Sequence, residues 1–376
     1  MSKTNAVPSL TTPAFIVDQQ KIQQSSETLA YLRRESGCRV LYSIKALPLR
    51  PILEWLQPHV DGFSVSSLFE AKLAREVLAK EQSVHLTTPG IKAAEVAELT
   101  QLCSYVSCNS LTQQQHFLST SPHSVAVGLR INPKLSFAQD VRFDPCRMHS
   151  KLGVDINSID AKSLQGVSGL HVHTVFSEQN YEPLLQTVAL LKQKLGQHFS
   201  RLHWLNLGGG YLIKQMSDHQ DFIELVKTLR HQYGLEVYIE PGKAVVGDAV
   251  TLQATIIDSF SSDGKVIAVL DTSINHNPEV FEYQRQPDIE ESTKTGKFSA
   301  ILVGATCLAG DVFGEYHFDR VVKVGDSINF TNMGAYTLVK ANRFNGYNFP
   351  DIYSLAKGKL TLLKHYDYES YRQFWV

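Results

Sequence analysis

The sequence predicts an α/β protein: a (β/α)8 barrel followed by a mostly antiparallel β domain. Three observations carry this. From about residue 40 to 245, short β-rich runs alternate with longer amphipathic stretches, and eight such runs occur. After about residue 246 the β-rich runs continue, but few helical patterns separate them. The 376-residue length is about what a large barrel plus an appended domain requires. Strand–helix alternation implies right-handed βαβ units and a parallel sheet. Eight such units close a barrel whose site is built from the C-terminal ends of the strands. A doubly wound open sheet is the competitor. It needs a glycine-rich turn after the first strand, where SIKALP stands instead.

The barrel runs lie at 40–44, 62–65, 83–87, 105–108, 125–131, 169–174, 203–207 and 236–239. Helical patterns such as LFEAKLAREVLA and YEPLLQTVALLKQKLG fall between them, with apolar residues at three- and four-residue spacing. Beyond the barrel, AVTLQATIIDSF, KVIAVLD, FSAILVGA, RVVKVGDSINF and KLTLLKHY read as strands separated by turn signals. The early run AFIVD precedes the first barrel helix and is free to pair with them. The expected division is 20–246 for the barrel, with 1–19 and 247–376 forming the β domain. The polar stretch 283–297 is expected to be a flexible loop.

Composition narrows the function classes. Hydrophobic residues make up 43% and charged residues 19%, which is the make-up of a folded protein rather than a disordered one. Thirty-six basic and 37 acidic residues leave a formal net charge of −1, so neither nucleic acid nor an anionic membrane is expected as partner. No run approaches the ~20 apolar residues of a membrane span. The N-terminal stretch MSKTNAVPSLTTPAF has no apolar leader core. Five cysteines without CxxC spacing argue against a disulfide framework or structural zinc, and fit a reducing cytoplasm.

Several residues at strand ends carry chemical potential. Lys45 closes RVLYSIKAL, where desolvation in a barrel mouth would lower its pKa and make it a competent imine former; a lysine snorkelling at a strand end is the plainer alternative. His171 and His173, in GLHVHT, share one face of the sixth strand. No matching acidic or His partners recur at other strand ends, so no metal site is expected; a hydrogen-bonded core histidine and an aromatic platform are the readings. Gly208, Gly209 and Gly210 follow the seventh run. Consecutive glycines there let a phosphate approach the backbone, and barrel phosphate sites favour the ends of strands seven and eight. Glu240 ends the eighth run in EPGK and needs a cationic partner if buried. In the β domain, GATCLAGD places Cys307 in a glycine-flanked loop four residues before Asp311. Tyr336, in NMGAYT, and the segment FNG follow.

Six motifs in one order, Y-x-I-K-A, HVH, GGG, EPGK, GATC and MGAYT…FNG, resemble the fold-type III pyridoxal-phosphate decarboxylases. That family includes the ornithine, arginine and diaminopimelate decarboxylases and shares its barrel with alanine racemase. DTSINHNPEV and GATCLAGDVFGEY resemble most the branch acting on carboxylated polyamines, carboxynorspermidine and carboxyspermidine. The resemblance implies pyridoxal 5'-phosphate as cofactor and Lys45 as its imine-forming lysine. It implies His173 stacked on the ring, and Gly208, Gly209, Gly210 and Gly242 with Tyr336 around the phosphate. Glu240 would face the pyridine nitrogen, with Arg130 and Glu70 nearby. Cys307 would be supplied by the second subunit of a homodimer with shared active sites. Asp271, His276 and Asp311, with Glu240, are expected to hold the substrate.

Four departures from the pattern stand out. Ser64 replaces an acid of the ornithine and diaminopimelate enzymes. Lys243 stands where Arg is common, TVFSEQ replaces a glycine-serine pair after His173, and Leu308 replaces an acid after Cys307. The competing functions are decarboxylation of another basic amino acid (diaminopimelate, ornithine or arginine) and a non-catalytic pyridoxal-phosphate carrier. A racemase on the same barrel is a third.

Overall fold

A computed structural model describes residues 10–120 and 125–376. Residues 1–9, the first part of the stretch read above as lacking a leader, lie outside the described residues. The chain forms two compact units, 24–244 and 1–23 with 245–376. The first strand, β1 (Ala14–Asp18), belongs to the second unit; the helix α1 (Gln19–Ser36) follows it.

The 24–244 unit is a closed parallel barrel. Its strands are β2 (Arg39–Ser43), β3 (Gly62–Val65), β4 (Ser83–Thr88), β5 (Tyr105–Cys108), β6 (Ala126–Asn132), β8 (Gly169–Val172), β9 (Trp204–Asn206) and β10 (Glu236–Ile239). The two-residue strand β7 (Val154–Asp155) hangs on the end of β6. Pairing runs from β5 through β4, β3, β2, β10, β9 and β8 to β6, and a β5–β6 ladder closes the ring. The eight expected runs are these eight strands to within one or two residues at most ends. The amphipathic patterns become the helices Leu68–Val77 and Glu182–Leu195.

The barrel is a packed core and not a pore, as this fold requires. Leu41, Trp204 and Tyr238 form one buried cluster with Tyr105 against it. Two glycines make room for the indole. A Cβ on Gly128 would stand 2.4 Å from the Trp204 ring, and one on Gly169 2.0 Å from it. His85 stacks on Tyr105 with centroids 4.2 Å apart. The floor is therefore aromatic, and the polar residues lie toward the strand ends.

The second unit contains an eight-stranded sheet. Its order is β14 (Val312–Phe318), β13 (Phe298–Val303), β12 (Lys265–Leu270), β11 (Val250–Ser262), β1, β16 (Asp351–Ala356) and β17 (Lys359–Lys364), with β15 (Ser327–Phe330) also on β11. Most pairs are antiparallel; β1–β16 and β12–β13 are parallel. AFIVD pairs with β11 and β16 through alternate backbone edges.

The stretch 283–297 corrects an expectation. Its residues are laced to the sheet rather than left as a free loop. Ile289 bridges Phe330, Glu291 accepts from Asn329 N–H at 3.0 Å and from its Nδ2 at 2.7 Å, and Tyr316 donates to the Pro287 carbonyl at 2.8 Å. Polar composition hid this because the anchors are backbone edges and one buried tyrosine. Cys38, Cys103, Cys108 and Cys146 are buried, whereas Cys307 is exposed. Burial pushes the Cys38 thiol up to about 11 and those of Cys103, Cys108 and Cys146 up to about 12. Among the described residues, no helix is long and apolar enough to cross a membrane.

Candidate active site

The C-terminal ends of the barrel strands gather one amine, one carboxylate, one guanidinium and two imidazoles. Lys45 lies in the single turn Ile44–Ala46 that follows β2. Water reaches the residue, yet protein crowds the amine. Burial lowers its pKa from the usual lysine range; Glu240 and Glu70 oppose this and Arg130 adds to it. A neutral amine is the nucleophilic form, and a lowered pKa makes it more available.

Glu240 lies one residue past β10 and is buried. Asn206 Nδ2 donates to its Oε1 at 2.7 Å. His171 Nε2 stands 3.2 Å from its Oε2. A carboxylate only accepts, so the shared proton sits on Nε2 and His171 Nδ1 is left buried without a partner. Burial alone would raise the Glu240 pKa; His171, Lys45 and Asn206 outweigh it and hold the carboxyl below its usual range. His171 is itself kept from charging, because burial lowers its pKa more than Glu240 raises it. The two partners thus carry one charge, a carboxylate beside a neutral imidazole.

His173 lies just beyond β8 and is half-buried. Its Nδ1 accepts the Gly209 N–H at 3.1 Å. Burial first, then Lys45 and Arg130, holds its pKa well below the ordinary histidine value, so the ring is neutral. Arg130, on β6, is buried, and its guanidinium has no hydrogen-bond partner among the described residues. Burial lowers its pKa against the pull of Glu240. Glu70 has a second task. Ser67 caps the Leu68–Val77 helix by accepting Glu70 N–H, while the Glu70 carboxylate accepts Ser66 N–H at 2.6 Å. The spacing S-x-x-E is the sequence signal for such a cap. Burial raises the Glu70 pKa against the pull of Lys45.

The triple glycine is dictated by backbone crowding. A Cβ on Gly208, Gly209 or Gly210 would stand 2.4, 2.2 or 2.3 Å from the carbonyl oxygens of Val172, Glu240 and Val175. Gly208 and Gly210 also have φ of 68° and 94°. Two of the three glycine amides are engaged within the protein. Gly208 N–H donates to Asn206 Oδ1 at 2.9 Å and Gly209 N–H to His173, leaving Gly210. Gly242 packs against Ser43 and Ala46, its would-be Cβ 3.0 Å from the serine Cβ. Two of the departures prove to be partners: Lys243 Nζ donates to Ser177 Oγ at 3.0 Å and lies 5.2 Å from the Phe176 ring centroid.

The other named residues belong to the second unit. Cys307 is exposed, and its N–H donates to Asn345 Oδ1 at 2.8 Å, so GATC and FNG do meet. Tyr336 has φ of 62°; burial pushes its hydroxyl up to about 12. The three second-unit residues expected to hold substrate are each hydrogen-bonded within the protein. Asp311 is 2% exposed; its Oδ1 accepts Ile274 N–H and its Oδ2 accepts Thr306 N–H and hydroxyl, so it organises its own loop. Asp271 accepts from Thr255 N–H at 2.8 Å and Thr12 hydroxyl at 2.6 Å. His276 is 1% exposed and bonded through Nδ1 to the Thr272 hydroxyl at 2.9 Å. Asn206 is the residue that motif reading missed. Its signal is a polar side chain two positions from Trp204, hence on the same inward face of an otherwise apolar run.

A family model described as pyridoxal-dependent decarboxylase, C-terminal sheet domain, matches residues 14–334. The chain is 33% identical to a Campylobacter jejuni protein named carboxynorspermidine/carboxyspermidine decarboxylase, covering 96% of this chain and 97% of that one. It is 32% identical to a Synechocystis protein named carboxyaminopropylagmatine decarboxylase, covering 97% of this chain and 95% of the relative. The crystal structure of carboxynorspermidine decarboxylase from Campylobacter jejuni, complexed with norspermidine, superposes with a TM-score of 0.87 at 30% identity, over 97% of this chain and 100% of that one. With an amine, a buried carboxylate and a glycine turn at one barrel mouth, and a family match that runs through both units, this chain belongs to the pyridoxal-dependent decarboxylases.

Proposed function

We propose that this chain removes the α-carboxylate of carboxynorspermidine or carboxyspermidine, releasing CO2 and norspermidine or spermidine in polyamine biosynthesis, with pyridoxal phosphate as cofactor. The observation that carries the reading is the buried Glu240 carboxylate, held ionised by His171, Lys45 and Asn206, at the strand ends where Lys45 and the glycine turn also lie. The residues fit the cofactor. Lys45 offers an amine of lowered pKa for its aldehyde, Glu240 a carboxylate for a protonated ring nitrogen, and His173 a neutral ring face. Gly210, the partnerless Arg130 guanidinium and Lys243 with Ser177 offer donors of the kind a phosphate takes.

When bound, pyridoxal phosphate supplies an electron sink for the charge left at Cα as CO2 departs. Glu240 would keep the ring nitrogen protonated, and its own proton stays off because its pKa is depressed. Cys307 would hold a proton on Sγ for delivery to Cα. The family resemblance supports a homodimer in which this thiol comes from the partner, and a cytoplasmic enzyme.

The test is CO2 release from carboxynorspermidine, carboxyspermidine, carboxyaminopropylagmatine, diaminopimelate, ornithine and arginine. Fastest turnover is expected on the first two. Preference for the agmatine derivative would move the reading to that branch, and release from none would end it.

A further inference from the structure

Asn206, the last residue of β9, is fully buried, and both ends of its carboxamide are engaged. Nδ2 donates to Glu240 Oε1 at 2.7 Å, while Oδ1 accepts the Gly208 N–H at 2.9 Å. The backbone repeats the link, since Glu240 N–H donates to the Gly208 carbonyl at 2.7 Å. One side chain therefore ties the carboxylate to the triple-glycine turn. A carboxamide meets both demands at once, offering a donor to the carboxylate and an acceptor to the amide. A carboxylate at 206 fails the first demand and an aliphatic side chain fails both.

We propose that Asn206 is a positioning residue: it sets the Glu240 carboxylate and the glycine turn in register, so that the ring-nitrogen partner and the phosphate-binding turn are presented as one piece. The proposal rests on the function given above. It assigns Asn206 no contact with substrate or cofactor; the residue acts through Glu240 and Gly208.

The test uses Asn206→Asp, which keeps the shape, keeps the acceptor for Gly208 and removes the donor to Glu240. The titratable groups facing Glu240 are His171 on β8, Lys45 just past β2 and Arg130 on β6, with His173 and His85 also within electrostatic reach. At pH 8 two carboxylates would confront each other across a hydrogen-bond distance. As the pH is lowered, the first proton taken up by the pair restores the missing donor. A shared-proton pair has its folded pKa raised, so the deficit is full above that value and fades as pH falls toward the unfolded carboxyl value.

Two readouts follow: pyridoxal phosphate affinity of the apoprotein, by fluorescence titration, and its melting temperature without cofactor. Relative to the parent, Asn206→Asp should lose about tenfold or more in affinity at pH 8 and recover most of it at pH 5.5, with the melting deficit following the same course. Placing the change in a Glu240→Gln background, where the Gln amide can donate to the introduced carboxylate, should abolish the pH dependence. A His171→Gln background should retain it, which separates the effect from His171 titration. An equal deficit at both pH values, or none, overturns the proposal. If the parent takes up no pyridoxal phosphate, the function reading falls, while the melts still decide whether Asn206 positions Glu240.

Discussion

Gly209→Ala is the sharpest probe of the glycine turn. The added Cβ would stand 2.2 Å from the Glu240 carbonyl oxygen and 3.1 Å from its carbon. Ordinary contact needs roughly 3.5 Å, so the two backbones must part by about 1 Å. The bond from Glu240 N–H to Gly208 O, now 2.7 Å, lies directly across that gap and would be stretched. Overpacking of this kind costs about 1–3 kcal/mol. For a unit of this size, each kcal/mol lowers the melting temperature by about 2–4 °C, so a depression of roughly 2–12 °C is expected. Pyridoxal phosphate affinity should fall with it, because the same shift moves the Glu240 carboxylate. The control is Gly90→Ala, where nothing lies within 4 Å of the would-be Cβ. Melting by scanning calorimetry and cofactor titration on the three proteins decide the matter. If Gly209→Ala melts within about 1 °C of the Gly90→Ala control and binds cofactor as the parent does, backbone crowding is not why this position is glycine.

Three further outcomes are expected. Borohydride should fix pyridoxal phosphate to the peptide carrying Lys45, and Lys45→Ala should lose both the label and turnover; a label found elsewhere would reassign the lysine. Mixing Lys45→Ala with Cys307→Ala chains should restore roughly a quarter of parental activity, since half of randomly assorted dimers are hybrids and each hybrid has one intact site of two; no restoration would count against shared sites. His276, whose pKa burial brings down to about 4, binds its proton less readily folded than unfolded. Stability should therefore fall as pH drops from about 6.5 to 4, and His276→Gln should remove up to about 3 kcal/mol of that fall. An unchanged slope in pH-dependent chemical denaturation would mean that His276 is reached by water.

The chain by itself determined the barrel. Short apolar β-rich runs and period-3.6 helices alternate eight times, and each strand recurs close to where its run predicts, because both faces of a parallel strand must be apolar. Lys45, His173, the triple glycine and Glu240 were legible for a related reason: special residues at strand ends stand out against apolar neighbours. The sequence could not tell which polar groups would meet. His171 and Glu240 are 69 positions apart, and Asn206 and Glu240 are 34; β8, β9 and β10 bring them together only as neighbours in one sheet. Pairing between Lys243 and Ser177 is of the same kind. Asp311, Asp271 and His276 show the converse. Their residue types suit substrate binding, and only the tertiary structure shows the partners they also have: Ile274 and Thr306 for Asp311, Thr255 and Thr12 for Asp271. Hydrogen-bond partnership is settled by distance in space. Periodicity in the chain reports only which face a residue occupies.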